Sequence, residues 1–287
     1  MPPTQISLEG FDCAAIPKKE VYLPPVYPVW TKHKANVIRL YLFYFMMITR
    51  HGTYIDGFAG PQNIKRPEAW SAKLAIENEP PWFRRFFLFE QKKDKVELLN
   101  ALKEAQPQNV SREIEVFCGD FNMLVHDFLK RNPIGDKEAT FCLLDQRTFE
   151  CNWSTVTALA NHKKNGYKIE LFYFLPISWL DRAISGLKSE EALKIWWGRD
   201  DFEILKGQKP VNRALIFKER FEEEFGYKHV KPWPFYSRRG GGRIMYYMVH
   251  ASDHAEAPKL MHRAYCEVVR MVPKDGKGCQ KEFCFEF

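Results

Sequence analysis

Four acidic residues stand at or just beyond the ends of short apolar runs, namely Asp56, Glu90, Asp120 and Asp145. If these runs are parallel strands, their carboxyl ends meet at one edge of a sheet, where open α/β sheets bind their ligands. An acid placed like Glu90, after the second run, can accept both hydroxyls of a ribose. The acidic series therefore indicates a ligand that carries a ribose.

A turn of small residues follows the first run. Gly57, Ala59 and Gly60 let the backbone approach a ligand closely, as turns before helices do in nucleotide sites. A nicotinamide dehydrogenase would need three glycines spaced G-x-G-x-x-G, and residues 57–62 do not supply them. The turn therefore favours methyl transfer over hydride transfer.

Each member of the series also has a purely structural interpretation. Asp56 can cap a turn, Glu90 and Asp120 can cap the helices that follow, and Gly60 can serve packing alone. For any one residue the two interpretations are evenly balanced. The joint spacing favours a site.

The rest of the sequence predicts the elements that position these residues. Apolar runs alternate with segments of helical periodicity, which predicts a parallel sheet with helices on both faces. Strands are predicted at Thr53–Ile55, Phe86–Phe89, Ile114–Phe117, Phe141–Leu144 and Ile169–Leu175, and a closing hairpin at Tyr227–Pro234 and Arg243–His250. Helices are predicted at Lys32–Met47, Asp94–Ala105, Phe121–Lys130, Trp153–Lys164 and Val211–Phe225.

Composition indicates the domain organisation, the cellular compartment and the kind of partner. The chain has 287 residues, 45% of them hydrophobic, which predicts one domain over residues 30–287, with a helical insert at about 176–226 and a Pro-rich arm at 1–29. Seven scattered cysteines favour free thiols in the cytoplasm, and no apolar run reaches the ~20 residues of a membrane span. A net charge of +7 fits a nucleic-acid partner or an ordinary solvated surface equally well.

Several segments together resemble the three-Cys-motif partner (TcmP) family of S-adenosylmethionine-dependent methyltransferases. The likeness covers roughly residues 30 to 270 and is carried by Trp30-Thr-Lys32, Tyr54-Ile-Asp-Gly-Phe-Ala-Gly60, Gly198-Arg-Asp-Asp and Ala251-Ser-Asp-His254. It implies the Rossmann-like class I methyltransferase fold, with a mostly parallel seven-stranded sheet. It also implies a nucleic-acid acceptor, and association with a separate three-cysteine protein.

The same resemblance assigns the cofactor-binding residues. Asp56 and Gly60, in one turn with Phe58 and Ala59, would hold the amino-acid end of S-adenosyl-L-methionine. Glu90 would bind its ribose and Asp120 its adenine amino group.

The sequence departs from related amino-methyltransferases after the fourth strand. Those enzymes carry Asp-Pro-Pro-Tyr or a similar turn, whereas this chain reads Asp145-Gln-Arg-Thr-Phe149. Asp145 and Gln146 are the catalytic candidates, without the prolines that would stiffen the turn. Two hypotheses follow: an active methyltransferase, or a drifted protein of the same fold that binds cofactor, nucleic acid or a partner protein without turnover.

The insert is predicted to form one wall of the acceptor site, and ordinary solvated charge is the competing interpretation. Its basic residues are Arg199, Lys206, Lys209, Arg213, Arg238, Arg239 and Arg243. The aromatic residues Trp179, Trp196, Trp197, Trp233, Phe235 and Tyr236 are expected to fill the core more often than to stack on a base. His250, His254 and His262 are expected to be structural or surface histidines, with a catalytic base as the competing interpretation. Cys279 and Cys284 are expected to be free thiols, and no metal site is predicted.

Overall fold

The computed structural model describes residues 29–107, 111–131, 134–177, 180–181, 184, 190–238 and 241–269. The predicted arm at 1–29 lies outside this part of the chain except for Val29, where the first helix begins. Trp179, Arg239, Cys279, Cys284 and the side chain of Arg238 also lie outside the described residues. No helix in the described ranges is long and apolar enough to cross a membrane.

In the described residues, seven strands form one sheet in the order β3-β2-β1-β4-β5-β7-β6. Strands β1 to β5 are parallel, and β7 runs antiparallel to both β5 and β6. The strands are β1 Gly52–Asp56, β2 Phe83–Glu90, β3 Glu113–Cys118, β4 Thr140–Leu144, β5 Glu170–Leu175, β6 His229–Arg238 and β7 Gly241–Ser252. This order, with its antiparallel hairpin, is that of the class I methyltransferase fold, so the predicted fold class is confirmed.

Helices cover both faces of the sheet. They are α1 Val29–Thr49, α2 Ser71–Ile76, α3 Lys93–Glu104, α4 Phe121–Arg131, α5 Trp153–Ala160, α6 Glu191–Trp197, α7 Pro210–Phe225 and α8 Ala257–Val269. One apolar cluster joins α1, α2, α3 and α8 to the first face, and another joins α4 to α7 to the second face. Helices on both faces explain why the central strands read as unbroken apolar runs: Phe86 and Leu88 enter the first cluster, and Phe87 and Phe89 enter the second.

Helix α5 ends earlier than predicted, at Ala160 instead of Lys164. The following residues bond to the loop before β4 in place of continuing the helix. Lys163 donates to the carbonyl of Glu138, Lys164 N donates to Asp136 Oδ1 at 3.1 Å, and the His162 ring accepts the N–H of Ile134 at 3.1 Å. These tertiary bonds outweigh the local periodicity on which the prediction depended.

The helices between Glu191 and Phe225 pack on the second face of the sheet. Trp196 and Trp197 are fully buried there, which confirms the core interpretation for both. Arg220 of α7 lies between the rings of Trp153 and Trp197, 3.9 Å from each centroid, and its Nη1 donates to Trp197 O at 2.6 Å. A cation held between two indoles fixes α7 against α5.

Two glycines with left-handed φ provide a matched test of this packing. Gly198 ends α6 with φ 76°, and a Cβ there would lie 2.6 Å from Trp153 Cβ. Gly207 has φ 69° and nothing within 4 Å of the same position. We expect Gly207→Ala to cost ~1–2 kcal/mol of unfolding free energy through backbone strain. Gly198→Ala should cost ~1–3 kcal/mol more, because α6 must move away from α5. Urea denaturation measures both variants, and equal costs would contradict the described contact.

Candidate functional site

A cavity of about 340 Å³ opens beyond the carboxyl ends of β1 to β4. The turns around it are joined to neighbouring strands by main-chain bonds: Gly57 N donates to Leu143 O at 3.0 Å, and Gly119 N to Glu90 O at 3.0 Å. Among the residues predicted from the sequence, six line the cavity: Gly57, Phe58, Gly60, Glu90, Asp120 and Asp145. The structure therefore brings together most of the acidic series.

Asp56 and Ala59 lie beneath the cavity and do not line it. Asp56 Oδ1 accepts the N–H of Phe58 at 3.0 Å, and Oδ2 accepts the hydroxyl of Tyr54 at 2.9 Å. Ala59 N donates to Phe89 O at 2.8 Å, and Ala59 O accepts the indole N–H of Trp70 at 2.6 Å. Both residues hold the turn in place, and their contact with a cofactor stays a prediction.

Burial raises the pKa of Asp56 to about 7. The bonds from Phe58 and Tyr54 favour the ionised form and oppose this rise, while the negative charges of Asp145 and Glu90 add to it. The carboxyl beneath the turn therefore changes charge close to neutral pH.

The two outer glycines of the turn are required by close contacts. A Cβ on Gly60 would lie 1.9 Å from Glu90 Oε2, and a Cβ on Gly57 would lie 2.6 Å from the ring of Phe121. The backbone at Gly60 therefore forms a cradle against a carboxylate, which a larger residue would fill. Glu90 Oε1 meanwhile accepts the N–H of Lys92 at 2.8 Å, where α3 begins.

Asp120 caps α4, as the structural interpretation expected, and lines the cavity as well. Its Oδ1 accepts the N–H of Asn122 at 2.8 Å and the Asn122 amide at 2.9 Å. Asn122 also donates to Glu150 O at 2.8 Å and accepts the N–H of Asn152 at 2.8 Å. Sequence analysis missed Asn122, which joins the turns after β3 and β4. An amide in the first turn of α4, two residues after an acid, was the available signal.

Side-chain bonds hold the turn after β4, where related enzymes have prolines. Lys34 of α1 pairs with Asp145, with 2.5 Å between Nζ and Oδ1. Gln146 is fully buried: its Nε2 donates to Phe174 O at 2.9 Å and its Oε1 accepts the N–H of Cys151 at 2.8 Å. Both ends of this amide bind main chain, so Gln146 positions the turn, and its catalytic role stays a prediction.

A second cavity, of about 290 Å³, adjoins the first, because Gln62 and Arg147 line both. Its other lining residues are Thr31, Lys34, Gln146, Phe174 and Tyr246. Sequence analysis gave no site role to Lys34, Phe174 or Tyr246. A charged residue within the apolar face of α1 was the one signal for Lys34.

Within the described part of the chain, the predicted wall of basic residues is not found beside these cavities. No described residue from 176–242 lines either one. Arg213 is buried, pairs with Asp181 and donates to Leu205 O at 2.8 Å, so the prediction is wrong for this residue. Arg199 pairs with Glu224 at 2.7 Å. Lys206, Lys209 and Arg243 are exposed, as the solvated interpretation expected.

The histidines around β7 lie away from this edge of the sheet. His250 is buried against Glu170 at the start of β5, with 2.9 Å between Nε2 and Oε1. The His254 ring accepts the N–H of Glu256 at 3.2 Å. His262 lies 3.6 Å from Cys266 Sγ. The structural interpretation is confirmed for His250 and His254, and no group of metal ligands occurs within the described ranges.

Comparisons with known proteins find only distant similarities, and no conclusion about this chain is drawn from them. No family model matches the sequence, and no curated protein matches it. One similar solved structure is a "putative transferase" from Pyrococcus horikoshii, with TM-score 0.34 and 13% identity over 77% of this chain and 62% of that chain. Another is a "putative methyltransferase" from Bacillus halodurans C-125, with TM-score 0.30 and 11% identity over 74% of this chain and 98% of that chain. The chain spans less than two thirds of the length of the first.

The raised pKa of Asp56 makes stability depend on pH. The folded carboxyl, with pKa about 7, holds its proton more tightly than the unfolded one at 3.8. Wild-type stability should therefore fall as pH rises from about 4 through 7, whereas Asp56→Asn removes this cost. Between pH 5 and 8, we expect the variant to gain on the order of 2 kcal/mol relative to wild type. Urea denaturation at several pH values measures this, with the exposed Asp200→Asn as control. A difference that does not change with pH would refute the burial argument.

Proposed function

We propose that this protein is an S-adenosylmethionine-dependent methyltransferase with a nucleic-acid base as acceptor. One observation carries the proposal: two adjoining cavities meet at the turn after β4, one lined by the acidic series and Gly60, the other by Lys34, Phe174 and Tyr246. A donor and an acceptor molecule need two such spaces with a shared boundary. Fold alone would not support this conclusion, because one fold hosts many activities.

The first cavity suits the cofactor in shape and charge. The cradle at Gly60 lies against Glu90, so a ribose seated there can donate both hydroxyls to that carboxylate. An adenine can pack against the ring of Phe121 and donate a hydrogen bond from its amino group to the carboxylate of Asp120. Four carboxylates line the cavity, those of Glu90, Asp120, Asp145 and Glu150, against the three cations of Lys92, Lys95 and Arg147, and this negative excess favours a cationic sulfonium.

When bound, S-adenosylmethionine supplies an electrophilic methyl group whose leaving group is a neutral thioether. The protein must hold the acceptor atom in line and take up a proton. If the acceptor is an amine, its nitrogen gives the electron pair of the new N–C bond, and Asp145 accepts the proton that the nitrogen loses. Gln146 and Lys34 position Asp145 for this task.

The alternative is a drifted protein that binds without turnover. It is favoured by one contact, because Asp145 is already paired with Lys34. The hydrogen bonds that hold the turn after β4 in one conformation favour the active enzyme. Arg147 N donates to Glu150 Oε2 at 2.9 Å, and the buried amide of Gln146 makes two more bonds, which together do what prolines do elsewhere. A turn without a function would not need to be held this firmly.

The finer parts of the proposal rest on the resemblance. The segments around Tyr54–Gly60 and Ala251–His254 support two of these parts. One is membership of the three-Cys-motif partner family, and the other is a separate three-cysteine protein as partner. A nucleic-acid acceptor is supported further by the net charge of +7.

Cofactor binding is the first test. We expect S-adenosylhomocysteine to bind the wild-type protein in isothermal titration. Glu90→Gln should weaken this binding roughly 10- to 100-fold, because it removes charge-assisted bonds to the ribose. Glu104→Gln, an exposed change at the end of α3, is the matched control. No heat from the wild-type protein at millimolar ligand would refute the proposal.

Turnover is the second test. Incubation with a labelled methyl donor and mixed cellular RNA, DNA and protein should label the nucleic acid. Asp145→Asn should reduce incorporation by about 100-fold or more, since it removes the proton acceptor. Binding of S-adenosylhomocysteine without methyl incorporation into any fraction would instead support the drifted protein.

A further inference from the structure

A third cavity, of about 330 Å³, opens at the opposite edge of the sheet, beside the amino ends of β4 and β5. Its lining comes from the second half of α1, the start of α8 and the segments that lead into β4 and β5. No described residue lines both this cavity and either of the other two. The proposed methyl transfer therefore gives this space no role.

The surface of the third cavity is mostly apolar. Tyr41 and Phe45 of α1 are buried beside it. Ile48 and Tyr167 also line it, and they are 46% and 56% exposed. A single exposed apolar side chain is ordinary, but two around one apolar cavity form an entrance that favours a ligand with an apolar body.

Three carboxylates line the third cavity, and the protein itself supplies hydrogen-bond donors to both oxygens of each. These carboxylates and their donors are Asp136 with Lys164 N and Asn165, Glu138 with Thr53, Arg85 and Gly135 N, and Glu170 with Tyr41, His250 and Ser252. A cationic ligand would have to compete with these donors. The carboxylates therefore do not favour a cation.

Lys163 is an enclosed cation in the lining of this cavity, at 8% exposure. Its hydrogen bond in the described part of the chain goes to a neutral carbonyl, that of Glu138, so two N–H donors remain. Burial lowers the pKa of Lys163 to about 8, although the negative charges of Glu138 and Asp136 oppose this shift. A buried ammonium with unused donors is stabilised by an anionic acceptor.

The other lysines at the third cavity differ from Lys163. Lys168 Nζ lies 3.5 Å from Asp253 Oδ2 and donates to Gly226 O at 3.3 Å, and Lys137 is exposed. One enclosed cation in an apolar space suits a ligand with a single anionic group. A ligand with several negative charges would leave the rest of its charge against apolar surface.

We propose that the third cavity binds a small monocarboxylate with an apolar body of about two rings. The carboxylate accepts the remaining N–H donors of Lys163, and the body contacts Phe45, Ile48 and Tyr167. The volume agrees with this size, because an apolar cavity of ~150 Å³ holds one benzene ring. This inference does not depend on the proposed function, since the site lies at the other edge of the sheet from the acidic series.

The test titrates the full-length protein with 2-naphthoate and with 2-naphthamide in a calorimeter. The two probes have the same apolar body, and only the first carries a charge. We expect 2-naphthoate to bind about tenfold or more tightly than 2-naphthamide, because the amide loses the charge-assisted bond to Lys163.

Lys163→Met keeps most of the apolar stem and removes the ammonium. This variant should bind both probes with equal affinity, as weakly as the wild-type protein binds 2-naphthamide. Lys164→Met, a change at the exposed neighbouring residue, is the matched control and should retain the preference for 2-naphthoate.

A second pair of variants serves if Lys163→Met fails to fold. Ile48→Glu changes an exposed residue at the opening, and its negative charge should weaken 2-naphthoate more than 2-naphthamide. Met123→Glu changes an exposed residue that does not line the third cavity, and it should leave both affinities unchanged.

Three results would overturn the inference: no binding of 2-naphthoate at millimolar concentration, equal affinity of the wild-type protein for the two probes, or a preference that survives in Lys163→Met or, if that variant does not fold, in Ile48→Glu. A surviving preference would mean that the probe binds elsewhere, for example at Lys34 of the second cavity. Binding of S-adenosylhomocysteine is measured separately, so failure here leaves the proposed function untouched.

Discussion

The alignment of four parallel strand ends is the constraint on which the site depends. Backbone hydrogen bonding sets the register, so that Asp56 at the end of β1 lies beside Leu88 of β2 and Leu143 of β4. The chain leaves β1 toward β2 and β3, and later returns to the other side of β1 with β4. Turns that diverge at this switch point leave a cleft between them. The acids meet there because the ladder allows no other arrangement of their strands.

Much of this geometry could be predicted from the sequence, because burial on both faces makes central strands unbroken apolar runs. The acids that follow such runs can be identified from the sequence alone. The role of each acid cannot, since Asp56 and Asp120 both stand at the end of an apolar run and look alike in the sequence. Asp56 is buried under its turn by Tyr54 and Phe58, whereas Asp120 reaches the cavity. That difference depends on packing and not on spacing.

Contacts between distant segments could not be predicted at all. Lys34 and Asp145 are 111 residues apart, and no local pattern links α1 to the turn after β4. Arg213 failed as a prediction for the same reason: its charge is evident in the sequence, but its carbonyl partners on the neighbouring segment are not. Long side chains on helices are therefore poor guides to a surface until the packing of the helices is known.

The contact between Gly60 and Glu90 also affects the order in which this site can change during evolution. Any side chain at position 60 would collide with the Glu90 carboxylate and with Lys95 Cδ, so a change there must displace the ends of two side chains. The reverse order is easier, because shortening Glu90 leaves the glycine undisturbed. A lineage that has already lost the acid therefore meets one obstacle fewer when position 60 becomes larger.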